Sequence, residues 1–280
     1  MRCWVVAAMF VAAGSAAFAA AYDDFSAGQN AIHRGDPDAA IAAFSHALAA
    51  GDLAPGYLPA TYSGRARAYL QRGQCQDAVG DLDAALKLRS NDAEAYVLRA
   101  EAEICLNKQD AAFADFAEAV RLRPTAQVYE QFAFQQWALG QFGGAAANFE
   151  AAVVASSKSN PHLPYLILWY AMTADRAAAL DKGILAKHVR DIDEDDWPGP
   201  LLELYLGKMP ISEVETKAAD RNPQTDGEHK CEFGFYLAEW NLARGKGDAA
   251  KPLLENVVTN CPHNFLEYGA AVIEQRRQTK

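Results

Sequence analysis

The sequence predicts an all-α protein, a solenoid of antiparallel helical hairpins. Three observations carry that expectation. Residues recur with a fixed spacing of 34, small residues occupy fixed points within each recurrence, and 51% of the chain is hydrophobic, much of it alanine. A hairpin of this kind cannot bury its apolar face alone, so each needs the next one stacked on it.

The recurrence is plainest from Thr61. "TYSGRARAYLQRGQCQDAVGDLDAALKLRSNDA" is followed by "EAYVLRAEAEICLNKQDAAFADFAEAVRLRPTA", and Tyr62, Arg65, Ala66, Ala78, Asp81 and Ala85 return as Tyr96, Arg99, Ala100, Ala112, Asp115 and Ala119. That spacing is the tetratricopeptide (TPR) period. An earlier copy from Asp23 carries Gly28, Gly35, Ala40, Phe44 and Ala47 before the longer connection "GDLAPGYLP". A fourth carries Tyr129, Ala133, Gly140, Ala145, Phe149 and Ala152. The small residues mark where two helices cross closely, and Phe44, Leu82, Phe116 and Phe149 fill the space to the next repeat. Arg65 and Arg99 stand where the TPR consensus has leucine. Asp81 and Asp115 follow each on the partner helix, so intra-repeat ion pairs are expected, with an arginine-lined groove for an anion as the alternative.

Beyond "VASSKSNPHLP" the pattern weakens. "YLILWYAMTAD" and "RAAALDKGILAKHV" read as a helical pair, and "RDIDEDDWPGP" as an acidic turn. Asp191, Asp193 and Asp195 alternate as at the start of a calcium loop, but the sixth and twelfth positions are Asp196 and Leu202, not Gly and Glu. "LLELYLGKM" and "SEVETKAA" predict two short helices, the second capped by Ser212. "DRNPQTDGEH" reads as a loop, Cys231 to Asn260 as a TPR-like hairpin, and "PHNFLEYGAAVIEQRR" as a capping helix with a solvent-facing charged end. The expected organisation is a signal peptide over 1–19, N-terminal TPR repeats over 20–158, a divergent helical middle over 159–222, and the C-terminal hairpin and cap over 223–280.

The leader expectation rests on "MRCWVVAAMFVAAGSAAFAAAYDD": one basic residue, an apolar run from Trp4 to Ala13, and small residues around Ala17 and Ala19. The run is too short for a stable anchor. Cleavage would remove Cys3 and leave Cys75, Cys105, Cys231 and Cys261 in an oxidising compartment, where disulfides are the default. The geometry of a hairpin brings Cys231 towards Cys261, and Cys75 towards Cys105 across two repeats. His229 and His263 flank the first pair, so a structural zinc site and free thiols stay open as alternatives. No metal or cofactor is expected.

The 36 acidic residues exceed the 26 basic ones, a net charge of minus 10, and removal of Arg2 makes it minus 11. A nucleic-acid binder needs a basic stripe, and none is present. HExxH, GxSxG and GxxxxGK[ST] are absent, and His33, His46, His162 and His188 have no acid or nucleophile beside them in sequence. No catalytic residue is assigned, and an enzyme is not expected.

The stretches "YLILWYA", "WPGPLLELYLGK" with "ISE", and "FYLAEWNLARGKGDAAKPLLENVVTNCPHNFLEYGAA" resemble those of the NlpI family, TPR lipoproteins of the Gram-negative outer membrane. The similarity covers about Pro161 to Ala271. It implies a homodimeric envelope adaptor that holds a C-terminal processing protease and peptidoglycan hydrolases together. No cysteine for lipidation follows the leader, so a periplasmic product rather than a lipoprotein is expected.

A TPR groove is lined by the first helix of each hairpin. By phase, Arg67, Glu101, Glu130, Phe134 and Trp137 are the partner-binding candidates, although aromatics at the spacing of Phe134 and Trp137 are also what a core requires. Phe25, Gln29, Gly64 and Leu98 do not supply the known TPR carboxylate clamp. The expected function is a periplasmic scaffold for protein partners. The alternatives are a self-associating structural subunit and, last, a metal-dependent enzyme.

Overall fold

The computed structural model describes residues 20–279, all helix and connecting turn with no strand among them. The expected signal peptide lies outside the described residues. The chain divides into two compact units, Met1–Pro124 and Thr125–Lys280. The fourth hairpin falls within the second unit.

The first unit contains α1 (residues 20–33), α2 (Pro37–Ala50), α3 (Leu58–Gln71), α4 (Cys75–Leu88), α5 (Ala93–Cys105) and α6 (Gln109–Leu122). Each hairpin turns the same way. Gly73 takes φ +70° while Gly73 N–H and Gln74 N–H donate back to the carbonyls of Leu70 and Tyr69. In the next repeat Asn107, at φ 58°, holds that place, as the residue other than glycine that best tolerates the left-handed region. Asp36 and Asp92 start α2 and α5 by accepting from Ala39 N–H and Ala95 N–H.

The first stack is wedge-limited. Phe44 is fully buried between two glycines, and a Cβ at Gly28 would lie 2.7 Å from its ring and one at Gly64 2.6 Å. The arginine pairs hold successive repeats together. Arg65 donates from Nε and Nη2 to both oxygens of Asp81 (2.7 and 2.8 Å) and from Nη1 to Ser45 Oγ (3.0 Å) of the preceding repeat. Arg99 does the same with Asp115 (2.7 and 2.8 Å) and reaches Asp83 at 2.6 Å. The hydrogen-bonded carboxylates raise the pKa of both arginines against the opposing effect of burial.

The second unit contains α7 (Ala126–Ala138), α8 (Phe142–Ala155), α9 (Leu163–Arg176), α10 (Lys182–His188) with a 3₁₀ turn at Val189–Asp191, α11 (Gly199–Leu206), α12 (Ile211–Ala218), α13 (Pro223–Leu242), α14 (Gly247–Asn260) and α15 (Leu266–Gln278). Every residue from Leu166 to Ala174 is buried, as is every residue of α11. Helices enclosed on all sides lose the polar face that gives a repeat its pattern, which is why the sequence signal fades here. The helix α13 packs against α9, so the last hairpin continues the stack directly and α10 to α12 form an insertion against both. A core of Trp137, Phe149, Trp169, Phe235 and Tyr236 fills the interior, with Trp137 edge-on to Trp169 at 5.2 Å.

One buried ion cluster joins four helices. Arg176 donates to Glu239 at 2.7 Å and to Glu274 at 3.2 Å, and both carboxylate side chains are fully buried. Arg277 pairs with Glu274 and donates to the Trp137 carbonyl at 2.7 Å.

Three local expectations change. The segment read as a loop, "DRNPQTDGEH", is helical from Pro223, because Asn222 accepts from Gln224 N–H and proline suits the first turn. Ser212 lies inside α12, which Pro210 precedes without a side-chain cap. The end of α15 is not simply solvated, since Glu274 and Arg277 turn into the ion cluster. No described helix is long and apolar enough to cross a membrane.

Adding a methyl group at Gly28 or Gly64 forces Phe44 out of place, so either Gly→Ala change should destabilise the protein by about 1–3 kcal/mol in urea unfolding. Gly80→Ala, in α4 with nothing within 4 Å, should instead be neutral or stabilise by up to about 1 kcal/mol. Equal effects at the three positions would contradict the wedge. Asp81→Ala should cost about 2–3 kcal/mol, because it strands a mostly buried guanidinium; an unchanged melt would contradict the pairing.

Candidate protein-interaction groove

The five groove candidates fall into two places. Arg67 on α3 and Glu101 on α5 belong to the first unit. Arg67 lines a cavity of about 470 Å³ with Gln29, Gly64, Glu94 and Leu98, while Glu101 is outside the lining. Charges there are met internally: Arg67 pairs with Glu94, and Arg89 lies 3.7 Å from Asp92. Burial raises the pKa of Glu101, and Arg67 partly offsets this.

Glu130 and Phe134, on α7, line a different cavity in the second unit. It measures about 340 Å³, and its other walls are His162, Tyr165, Leu166 and Trp169 from the start of α9, Glu232 from α13, and Leu266 and Glu267 from α15. A further cavity of about 500 Å³ shares Phe134, Trp169 and Leu266 and continues to Phe265 and Ile273. Together they make an aromatic and aliphatic groove along the first helices of the hairpins. Leu266 stands 49% exposed at its edge. Phe134 packs edge-on against Trp169 at 4.7 Å and stays partly open. Trp137, one helical turn on, is only 2% exposed and serves as floor and core rather than as an accessible anchor.

Carboxylates give the groove its electrostatic character. Glu232 accepts from the Tyr165 hydroxyl at 3.0 and 3.2 Å and from the Trp197 indole N–H. Burial pushes its pKa up to about 7; the indole and the phenol pull it down, while Glu267 and Glu228 push it further up. Glu267 accepts from the Tyr236 hydroxyl at 3.1 Å, and its carboxyl too is raised, first by burial. Glu130 is raised by burial and lowered by His162. Among the described residues none of these three carboxylates has a lysine or arginine partner.

Sequence phase placed Glu130 and Phe134 on a first helix. Glu232 and Glu267 were missed, because nothing local shows that α13 and α15 close on α9. The one available signal was a glutamate beside Cys231, at the start of an aromatic-rich stretch of α13.

The four cysteines pair as Cys75 with Cys105 and Cys231 with Cys261, at Cα separations of 6.2 and 5.8 Å. Cys231 lies about two turns into α13 rather than at its start, since α13 runs 20 residues against 14 in α14. Each bond closes a loop of 30 residues' separation and stabilises by about 3–4 kcal/mol through the unfolded chain. His229 is within α13 and stacks on Trp197 at 4.7 Å, and His263 stacks on Tyr268 at 4.4 Å. Zinc would need those sulfurs as thiolates. No group of three or more His, Cys, Asp or Glu is placed to hold a metal among the described residues.

No family model matches the sequence. Solved structures do resemble the fold. A tetratricopeptide repeat protein from Parabacteroides merdae ATCC 43184 superimposes with a TM-score of 0.52 at 13% identity, over 91% of this chain and 99% of that one. A MamA protein gives 0.50 at 17% identity, over 64% of this chain and 96% of its own. At such identities the likeness shows the fold, a TPR helical-hairpin architecture.

Glu232 provides a test of the groove's electrostatics. Its folded pKa is raised above the ordinary carboxylate value, so the folded state holds the proton more tightly. The stability this contributes is complete below about pH 4 and is lost as pH rises through about 7. Glu232→Gln keeps the shape without the charge, and should therefore melt above the wild type at pH 8, by roughly 3 kcal/mol at most, and level with it at pH 4. A variant less stable at pH 8 would show that the buried charge is compensated.

Proposed function

We propose that this protein is a non-enzymatic scaffold, exported to the periplasm, whose second-unit groove holds a segment of a partner protein. The observation that supports this most is the groove itself. Apolar and aromatic walls are presented by the first helices of stacked hairpins, the surface that TPR proteins use for extended or helical segments. The paired cysteines suit an oxidising compartment. The resemblance of the second half to the NlpI family supplies the identity of the clients in this proposal: a C-terminal processing protease and peptidoglycan hydrolases, recruited by a homodimer.

The test is site-specific photo-crosslinking in a Gram-negative periplasm, with the reactive residue at Leu266 and, as control, at exposed Asn256 on α14. The expected outcome is capture of a protease or a cell-wall hydrolase, identified by mass spectrometry, from Leu266 and not from Asn256. Cross-links only between copies of this chain would favour a self-associating structural subunit. Equal capture from both positions would remove the groove from the account.

A further inference from the structure

The groove contains more negative charge than its own surroundings balance. Glu130, Glu232 and Glu267 line one cavity of about 340 Å³. Their polar neighbours are neutral donors: the Tyr165 hydroxyl and the Trp197 indole on Glu232, and the Tyr236 hydroxyl on Glu267. The titratable groups facing Glu232 from the surrounding elements are Tyr165 on α9, Glu228 and Tyr236 on α13 and Glu267 on α15; none is a cation. Two bases lie nearby: His162, at the head of α9, lines the cavity and acts on Glu130, and His229 stacks on the ring of Trp197, whose indole donates to Glu232. This contrasts with the first-unit cavity, where Arg67 and Arg89 already meet acids.

Resting on the groove assignment above, we propose that the partner segment is basic: a lysine or arginine side chain enters among Glu130, Glu232 and Glu267, and an adjacent apolar side chain lies against Phe134, Trp169 and Leu266. Charge complementarity selects this occupant. A cation there exchanges water for carboxylates that are already desolvated, and a charge-assisted hydrogen bond in such a site is among the stronger ones. A second, independent feature points to a peptide rather than a free cation: the acidic cavity adjoins an apolar one of about 500 Å³ that shares Phe134, Trp169 and Leu266, the last of them 49% exposed.

Because burial holds the Glu232 carboxyl near 7, its charge is available above neutrality and withdrawn below it. Capture is therefore pH-gated: stronger at pH 8 and weaker at pH 6. Binding the cation also expels the proton that Glu232 carries near neutrality.

The experiment uses the full chain and two blocked, fluorescein-labelled ten-residue peptides. One alternates leucine with lysine, and the other has every lysine acetylated. Anisotropy is read at pH 8 and pH 6 in physiological salt. The acetylated peptide should bind roughly tenfold more weakly at pH 8, and Glu232→Gln should weaken the lysine peptide by about the same factor. Glu255→Gln, an exposed glutamate on α14, should leave it unchanged. Wild-type affinity should fall several-fold from pH 8 to pH 6, and the Glu232→Gln variant should show no such fall.

Equal binding of the two peptides, equal loss in both variants, or no binding of either would overturn the inference. Equal binding of both peptides leaves the groove reading standing with a different specificity. Equal loss in both variants would mean diffuse attraction to an acidic protein. Absence of peptide binding is separable from failure of the scaffold itself, since capture from Leu266 reads that directly.

Discussion

The second unit depends on Arg176. Its guanidinium stands at the end of α9 and is shared by Glu239 of α13 and Glu274 of α15, both without exposed side-chain surface. Arg277 meets Glu274 from the other side and ties the cluster to the last turn of α7 through the Trp137 carbonyl. Burial raises Glu239, and the two arginines pull it back. An ion cluster of this kind adds little net stability over a well-packed apolar one, yet losing a member leaves an uncompensated buried charge. It joins four helices, from parts of the chain far apart in sequence, through paired charges and one main-chain carbonyl.

Those same four helices carry the groove, and its acidic cavity lies before the cluster along each of them. The cluster involves the late residues Trp137, Arg176, Glu239 and Glu274, whereas the acidic cavity uses the earlier Glu130, Tyr165, Glu232 and Glu267. The cluster is closed by matched charge. In the cavity, acids are left with neutral donors, and only Glu267, in the first turn of α15, gains from a helix N-terminus. Rigid support beside unbalanced charge is the arrangement expected where a scaffold positions groups that are to meet a ligand.

What the sequence made legible follows from its periodicity. The spacing that aligned Arg65 with Arg99 and Asp81 with Asp115 was enough to place each pair across one hairpin, because both residues move in register with the repeat. Cys75, Cys105 and Cys261, at helix ends, were legible for the same reason. The second half was harder, since the middle of α9 and the whole of α11 are buried and present no polar face there. Local pattern does not reveal that α13 lies on α9 across the intervening insertion, nor that Pro223 opens a helix. Glu232 could be read only as a charged residue near a cysteine, and Trp137 as one of four aromatics on α7. Which of them faces open space depends on Trp169, a contact between repeats.

Trp197 comes from the acidic turn "RDIDEDDWPGP", outside any repeat, and its indole reaches back to the carboxylate of Glu232 while its ring receives His229. The groove's most perturbed acid is thus adjusted by a residue that is no part of the groove wall. Residues added to or removed from that turn would reset the acid while every wall side chain stayed the same. In a repeat architecture, where walls are constrained by stacking on both sides, an inserted loop offers a separate adjustment: the scaffold holds its shape, and the selectivity of what it holds is set from outside.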